Sequence, residues 1–293
     1  MKNISTTAHL IAMYRAIETE RPDALFHDRF ARRLAGSEGL FAVEVLGAQP
    51  QGTNAIAVRT IEFDESTERL VKAENIDLVL NLAAGLDTRP YRLNLPATLQ
   101  WIEVDLPEIL AYKEQLLKDE FPVCRVERIP LDLTDVAQRR RLFTDINTKT
   151  DRVLVITEGL LIYLSEPQVA GLAADLSHQP HFCWWLLELA SPLLQQQSQR
   201  DYGQRLFDLY FASGEATFLF APESGNNFFK HYRWEVMEFK SLWKGLQRLD
   251  RRIRLMWLME YWMKVFNQKY WQAIDRDSGI ILLKQQTQTS FCD

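Results

Sequence analysis

Hydrophobic spacing changes character at about residue 76. Before it, apolar positions recur at helical intervals, as in Leu10, Met13, Tyr14 and Ile17, with Thr6 or Thr7 placed to cap the first helix. Two more helices are predicted, over Phe26–Leu34 ("FHDRFARRL") and roughly Asn54–Lys72, with the Gly/Pro/Gln stretch "LGAQPQG" between them. From Ile76 short apolar runs alternate with amphipathic segments, the mark of βαβ units around a parallel sheet. Strands are predicted over Leu78–Ala83, Gln100–Val104, Arg125–Pro130, Val153–Thr157 and Phe182–Leu189, and helices over Pro107–Glu120, Val136–Asn147 and Glu166–Ser177. Right-handed crossovers bring the C-terminal ends of such strands to one edge of the sheet, where ligands bind in open α/β folds.

Beyond Ala190 the pattern predicts a helix from about Pro192 to Ser213, a loop at "FAPESGNN", and a terminal strand pair from "RWEVMEF" and "SGIILLK". Between those strands, "SLWKGLQRLDRRIRLMWLMEYWMKVF" reads as amphipathic helices covering the sheet or a substrate pocket.

Composition narrows the class. The 293 residues are 47% hydrophobic and 25% charged, as in an ordinary globular chain. With 34 Lys+Arg against 39 Asp+Glu, the net charge of −5 supplies no basic field for nucleic acid. No run approaches the roughly 20 apolar residues that cross a bilayer, and the N-terminus lacks a secretory apolar core, so a cytoplasmic protein without a membrane partner is expected. Cys124, Cys183 and Cys292 are far apart and without nearby histidine, so thiols are expected and no metal site.

The strand ends carry the candidate chemistry. In "AAGLDTR" the positions of a G-x-G-x-x-G pyrophosphate fingerprint are Ala83, Gly85 and Thr88, so only one glycine is present and a dinucleotide cofactor is disfavoured. Asp105, with Leu106 after it in "WIEVDLPE", follows Gly85 at the spacing of about 20 residues where a carboxylate takes both ribose hydroxyls; the alternative is a cap for the helix opening at Pro107. Asp132 can take the amino group of a base while Leu133 packs on its ring, or Asp132 can cap the helix at Val136. Glu158 follows four buried apolar residues in "VITEGL", with room beside it at Gly159, and a carboxylate there needs a paired cation. Arg59 in "AVRTIEFDE" can meet a ligand carboxylate or pair on the surface with Glu62 or Asp64. A ligand with ribose, base, positive charge and a carboxylate but no phosphate fits S-adenosyl-L-methionine.

These stretches, together with "TTAHLIAMYRAIETERPDALFHDRFARRLAG", "NLAAGLDTRPYRL", "EVDLPEIL", "LDLTD", "TEGLLIYLSEPQV" and "SGIILLK", resemble the leucine carboxyl methyltransferase family. They resemble in particular its bacterial S-adenosylmethionine-dependent O-methyltransferase branch, related to the tetracenomycin-type polyketide methyltransferases. The resemblance implies an α/β fold, the seven-stranded Rossmann-like sheet of class I methyltransferases, with a helical cap over residues 1–75. The methyltransferase domain would span 76–293 and carry a lid or substrate region at about 191–275. It implies that Arg59 binds the cofactor carboxylate, Ala83 and Gly85 the methionyl part, Asp105 the ribose, Asp132 and Leu133 the adenine, and Glu158 the methionyl ammonium. This chain has Ala83-Ala84-Gly85 where the family usually has Gly-Ala-Gly, which adds a methyl beside the cofactor.

Asp87 and Arg89 read as a lock that ties the turn to the cap, with substrate contact by Arg89 as the alternative. Tyr163 is a candidate contact to acceptor or cofactor. None of the five histidines is singled out as a base, and no catalytic residue is assigned. The leading expectation is O-methylation of a small-molecule carboxylate or hydroxyl. Methylation of a protein C-terminal carboxylate and a non-catalytic nucleoside-binding module stand as alternatives.

Overall fold

A computed structural model describes residues 2–46, 50–197, 219–252 and 256–286. The N-terminal helices are α1 (Lys2–Thr19), α2 (Ala31–Leu46) and α3 (Pro50–Ala73). They are followed by β1 (Leu78–Leu82), α4 (Arg89–Arg92), β2 (Gln100–Asp105), α5 (Pro107–Leu117), β3 (Arg125–Pro130), α6 (Val136–Asn147), β4 (Val153–Thr157), α7 (Glu166–Ser177) and β5 (Phe182–Leu189). The described remainder forms α8 (Pro192–Gln197), β6 (Trp234–Ser241), α9 (Leu242–Arg248), α10 (Met256–Phe266), α11 (Gln268–Asp275) and β7 (Gly279–Gln285).

The predicted strands are all present, with β1 one residue shorter and β2 one longer than expected. The helical third departs further from its sequence pattern. Thr6 and Thr7 lie inside α1, because the helix starts at Lys2. "FHDRF" is not helical: the Asp28 carboxylate accepts the Phe30 N–H at 3.1 Å, and α2 begins only at Ala31. The helix expected over Pro192–Ser213 appears as α8, and residues 198–213 lie outside the described residues.

The strands form one seven-stranded sheet in the order β3-β2-β1-β4-β5-β7-β6. Pairing is parallel from β3 through β5, while β7 runs antiparallel to both β5 and β6. The expected terminal pair is therefore β6 and β7, inserted at the β5 edge. Tight packing there needs glycine: a Cβ on Gly279 would stand 2.3 Å from the Lys240 carbonyl oxygen.

Alternation along each strand sends successive side chains to opposite faces. Leu78, Leu80, Leu82, Val153, Val155 and Trp185 face one core with Phe143 of α6 and Val169 and Leu172 of α7. Val79, Leu154, Ile156, Trp184 and Leu186 face a second core with Phe63 and Leu70 of α3. Each such fully buried side chain contributes about 1.5–3 kcal/mol. The cap rests on α5 through a third cluster in which Ala12, Met13 and Leu34 meet Leu86 and Ile109.

The Trp-rich helices only partly match expectation. Met256 and Met263 of α10 bury against Val58, Trp243 and Leu246, but Trp257, Tyr261, Trp262 and Phe266 remain exposed. The cysteines also differ: Cys124 is a free, buried thiol that burial pushes up to about 11, whereas Cys183 is in a disulfide. No helix among the described residues is long and apolar enough to cross a membrane.

Glu103 of β2 is consumed by the fold. It is fully buried and takes Lys113 Nζ of α5 at 2.7 Å and Arg128 Nε of β3 at 3.0 Å. Glu103→Ala strands the equally buried Lys113 and is expected to lower unfolding free energy by about 3–5 kcal/mol in urea titrations. Pairing Glu103→Gln with Lys113→Met should recover part of that loss; a double variant no more stable than Glu103→Ala would exclude the buried pair as the cause.

Candidate functional site

The turn after β1 is held in left-handed backbone. Ala83 has φ 55° and Gly85 φ 50°, a region in which an L side chain is strained and glycine is not. The Gly85 N–H donates to Asp105 Oδ2 at 2.6 Å and the Leu106 N–H to Asp105 Oδ1 at 2.7 Å. Asp105 therefore braces the turn and does not cap α5, whose N-cap is Leu106. Burial pushes the Asp105 carboxyl above its ordinary value against the pull of these two N–H groups, and each oxygen keeps a free lone pair. A Cβ on Gly85 would meet only Ala8 Cβ at 3.5 Å, so α1 lies over this turn.

Beyond the turn the side chains form one connected charge cluster. Arg89 Nε meets Asp64 of α3 at 2.7 Å, its Nη1 meets Asp87 at 3.0 Å and its Nη2 meets Glu158 at 2.8 Å. Arg92 takes Asp64 with both terminal nitrogens, at 2.5 and 2.8 Å. Asn81 Nδ2 holds Asp87 at 2.8 Å. The cap joins through Asp28, which accepts Thr88 Oγ1 at 2.7 Å and Arg15 Nε at 2.9 Å, while Arg15 Nη2 donates to the Leu86 carbonyl at 2.6 Å. The "DTR" segment is thus a lock between turn, α3 and cap. Arg89 has every nitrogen engaged and 3% of its side chain exposed.

Arg59 closes the cluster from α3. Its Nε lies 2.9 Å from Glu158 Oε1 and its Nη1 3.2 Å from Glu188 Oε2. The alternative pairings with Glu62 and Asp64 do not form: Glu62 takes Lys240 and Arg248, and Asp64 takes Arg89 and Arg92. Burial opposes the Arg59 charge, but Glu188 and Glu158 outweigh it and hold its pKa above the ordinary value. Burial likewise opposes the Glu158 charge, and Arg89 and Arg59 outweigh it, so Glu158 stays below the usual range. Glu188 goes the other way, pushed up by burial that Arg59 only partly offsets and Glu158 reinforces. Sequence reasoning missed Glu188, although a lone acid near the end of the apolar run "FCWWLLEL" is the same signal that singled out Glu158.

Four guanidiniums (Arg15, Arg59, Arg89, Arg92) therefore meet five carboxylates (Asp28, Asp64, Asp87, Glu158, Glu188) within this cluster of described residues. Gly159 flanks it, at φ 66°, with Arg59 Nη1 3.9 Å from where its Cβ would stand. Tyr163 lies close enough to feel both Arg59 and Glu188; burial raises its hydroxyl, against a hydrogen bond with Thr7 of α1. The exit of β3 is less built. The Leu131 N–H bonds the Asp105 carbonyl at 2.9 Å, bringing the β3 exit alongside Asp105, and Leu133 is buried. Asp132 is exposed and bound to its own turn through the Thr134 N–H and Oγ1, while Asp135 is the residue that caps α6. Among the described residues no three His, Cys, Asp or Glu side chains converge as a metal site.

Residues 8–177 match the family model described as leucine carboxyl methyltransferase. The chain belongs to the leucine carboxyl methyltransferase family. A relative from Parafrankia sp. named "Putative S-adenosyl-L-methionine-dependent methyltransferase" is 36% identical over 185 residues, covering 59% of each chain. Another of that description from Frankia alni is 35% identical over 180 residues, 58% of this chain and 62% of the relative. The chain thus spans about three-fifths of the length of the curated relatives it matches. Two solved structures share the fold across nearly the whole chain. A DUF574 family protein from Streptomyces avermitilis has a TM-score of 0.58 at 13% identity, covering 96% of this chain and 97% of its own. A protein from Thermobifida fusca titled a putative methyltransferase has a TM-score of 0.57 at 14% identity, covering 96% and 94%. The fold of this family member is the class I methyltransferase sheet with its antiparallel seventh strand.

Two outcomes follow for the turn. Ala83→Gly relieves a left-handed alanine and should raise stability by about 1 kcal/mol, read as a higher thermal midpoint; a lower midpoint would show that the methyl packs usefully. Asp87, although burial opposes its charge, is held well below the carboxylate range by Arg89, Lys113 and Arg92. Its stabilising contribution is complete above the unfolded value near 3.9 and is withdrawn as pH falls below it. Asp87→Asn should therefore be less stable at pH 7 yet lose less of its thermal midpoint between pH 5 and pH 3 than the parent. Equal acid losses in the two proteins would contradict this.

Proposed function

We propose that the chain is an S-adenosyl-L-methionine-dependent methyltransferase acting on an oxygen of a small molecule. The observation that carries the reading is the single contact path joining Asp105, the Gly85 turn, Glu158 and Arg59 along one edge of the sheet. The charge cluster beyond the turn holds four guanidiniums against five carboxylates, to which Asp105 adds a sixth, and the cofactor brings one net positive charge as a sulfonium with an α-amino-acid zwitterion. Family membership and the named relatives support the same cofactor.

The residues fit the group. Asp105, pushed up by burial and with a lone pair free on each oxygen, is suited to two ribose hydroxyls. Arg59 faces a carboxylate, Glu158 and Glu188 supply negative charge, and Leu133 offers an apolar surface to the base. When bound, the cofactor supplies a methyl group already activated on sulfur. The protein's task is then to orient the acceptor in line and exclude water, for which α1 over Gly85 and the Tyr163–Thr7 contact provide cover. A carboxylate acceptor needs no base; a hydroxyl acceptor needs one within hydrogen-bond reach.

Calorimetry with S-adenosylhomocysteine tests the cofactor assignment. The parent protein should bind it, and Asp105→Ala should weaken binding by roughly 10- to 100-fold, the scale of losing hydrogen bonds to a charged acceptor. Unchanged affinity would remove Asp105 from the site. Incubation of the parent with S-adenosyl-L-methionine and a panel of phenols, alcohols, carboxylic acids and peptides with a free C-terminus, followed by mass spectrometry, identifies the acceptor class by the gain of one CH2.

A further inference from the structure

The helix α10 is apolar on nearly every side, and only one of those sides has a partner in the fold. Met256 and Met263 bury against Val58 of α3 and against Trp243 and Leu246 of α9. Glu260, on the same side, accepts from Gln247 Nε2 at 2.6 Å and pairs with Lys264 Nζ at 2.5 Å, and Lys264 stands 4.6 Å from the Trp271 ring centroid. At 3.6 residues per turn the remaining arc is about 200° wide. It carries Trp257, Tyr261, Trp262 and Phe266, which are 68, 64, 54 and 69% exposed, with Leu258 and Val265 between them. No charged side chain falls within that arc. A helix that covers a core ordinarily turns its polar residues to solvent, whereas one that is apolar all round belongs inside a larger body.

The size of the face points the same way. Burying an aromatic side chain removes about 150–250 Å², so four rings exposed to this extent present roughly 400–600 Å². The aliphatic side chains beside them bring the face toward the ~800 Å² per partner of a stable interface, beyond the patch of about 300–600 Å² that an ordinary monomer leaves open. Its chemistry selects the occupant. With no charge in the arc, and with Glu260 and Lys264 neutralising each other at its rim, the face has nothing to attract anionic lipid, nucleic acid or a charged peptide. Tyr261 and Trp262 lie midway along the eleven residues. A two-fold axis through them would set two copies of the helix antiparallel, each meeting the same apolar surface, and would bring Trp257 level with Phe266 of the partner subunit.

We propose that this face of α10 is a self-association surface, on which a second copy of the chain docks as an isologous two-fold dimer. The surface is already fixed before docking. Arg251, five positions ahead of Met256, ties the approach to α10 to the cap: its Nη2 meets Glu18 at 2.6 Å, and its carbonyl accepts the Asn54 side-chain amide at 3.1 Å. Association therefore orders little of the chain. It also backs α3, since Val58, next to Arg59, lies in the cluster beneath α10.

This inference is independent of the methyltransferase reading, and light scattering on the full chain tests it. The parent should run at twice the mass of one chain at micromolar concentration. A monomer overturns the proposal, and a monomer that sediments with phosphatidylglycerol vesicles would mark α10 as a membrane face in its place. Trp262→Glu sets like charges together at the axis and should weaken the dimer by at least roughly 30-fold, the loss expected at an interface hot spot. Trp262→Lys should do the same, yet an equimolar mixture of the two variants should regain the dimer, because opposite charges then meet. Phe121→Glu, at an aromatic that is 88% exposed and outside α10, should leave association unchanged. Position 262 faces solvent in the single chain, so both variants should keep the parent's helical circular dichroism. A dimer unmoved by Trp262→Glu, an equal loss in Phe121→Glu, or a mixture that stays monomeric overturns the proposal.

Discussion

Arg59 stands between two buried carboxylates, and the requirement that buried charge be matched by opposite charge organises the rest of the edge. An isolated buried ion is too costly to keep, and removing one partner of a buried pair typically costs 3–5 kcal/mol. Here the partners come from α1, α3, the β1 turn, β4 and β5, so none of these elements can be seated without the others. The cap is for this reason part of the site. Arg15 of α1 holds the Leu86 carbonyl, and Asp28, just before α2, holds Thr88. These contacts fix the turn that presents Gly85 to Asp105.

The sheet itself was legible because its signal is local. Alternating apolar runs between helical segments placed β4, β5, α6 and α7 at their observed ends, since burial on both faces of the sheet imposes an unbroken apolar run on β4 and β5. Local signals failed where a distant partner decides. Phe26–Phe30 has helical spacing, yet Asp28 is needed as acceptor for Thr88, 60 positions on, and its side chain also takes the Phe30 N–H. Arg59 had plausible neighbours in Glu62 and Asp64, but its partners lie at Glu158 and at Glu188, 129 positions away. No spacing rule reaches that far. Glu188 carries the same burial signal as Glu158, an acid near the end of an apolar run.

Ala83 shows how the turn combines strain with compensation. A left-handed alanine costs roughly 1–2 kcal/mol, and a turn that adopts one must be fixed by its surroundings. Asp105 on the Gly85 N–H, Arg15 on the Leu86 carbonyl and Asn81 on Asp87 surround this backbone with hydrogen bonds. The departure from Gly-Ala-Gly thus sits in a frame rigid enough to hold it. The added methyl is accommodated without disturbing any of these bonds.

The family match ends at Ser177, before β5. Asp105, Arg59, Glu158 and the "DTR" lock all fall inside it, whereas Glu188 and the Trp-rich helices α9 to α11 fall outside. The boundary divides the edge physically as well. The matched part holds Asp105 on the Gly85 turn and gives Glu158 two guanidiniums; the β5 side gives Glu188 its contact with Arg59. A ligand that touches both Asp105 and Glu188 must therefore reach across from the matched part to the unmatched one.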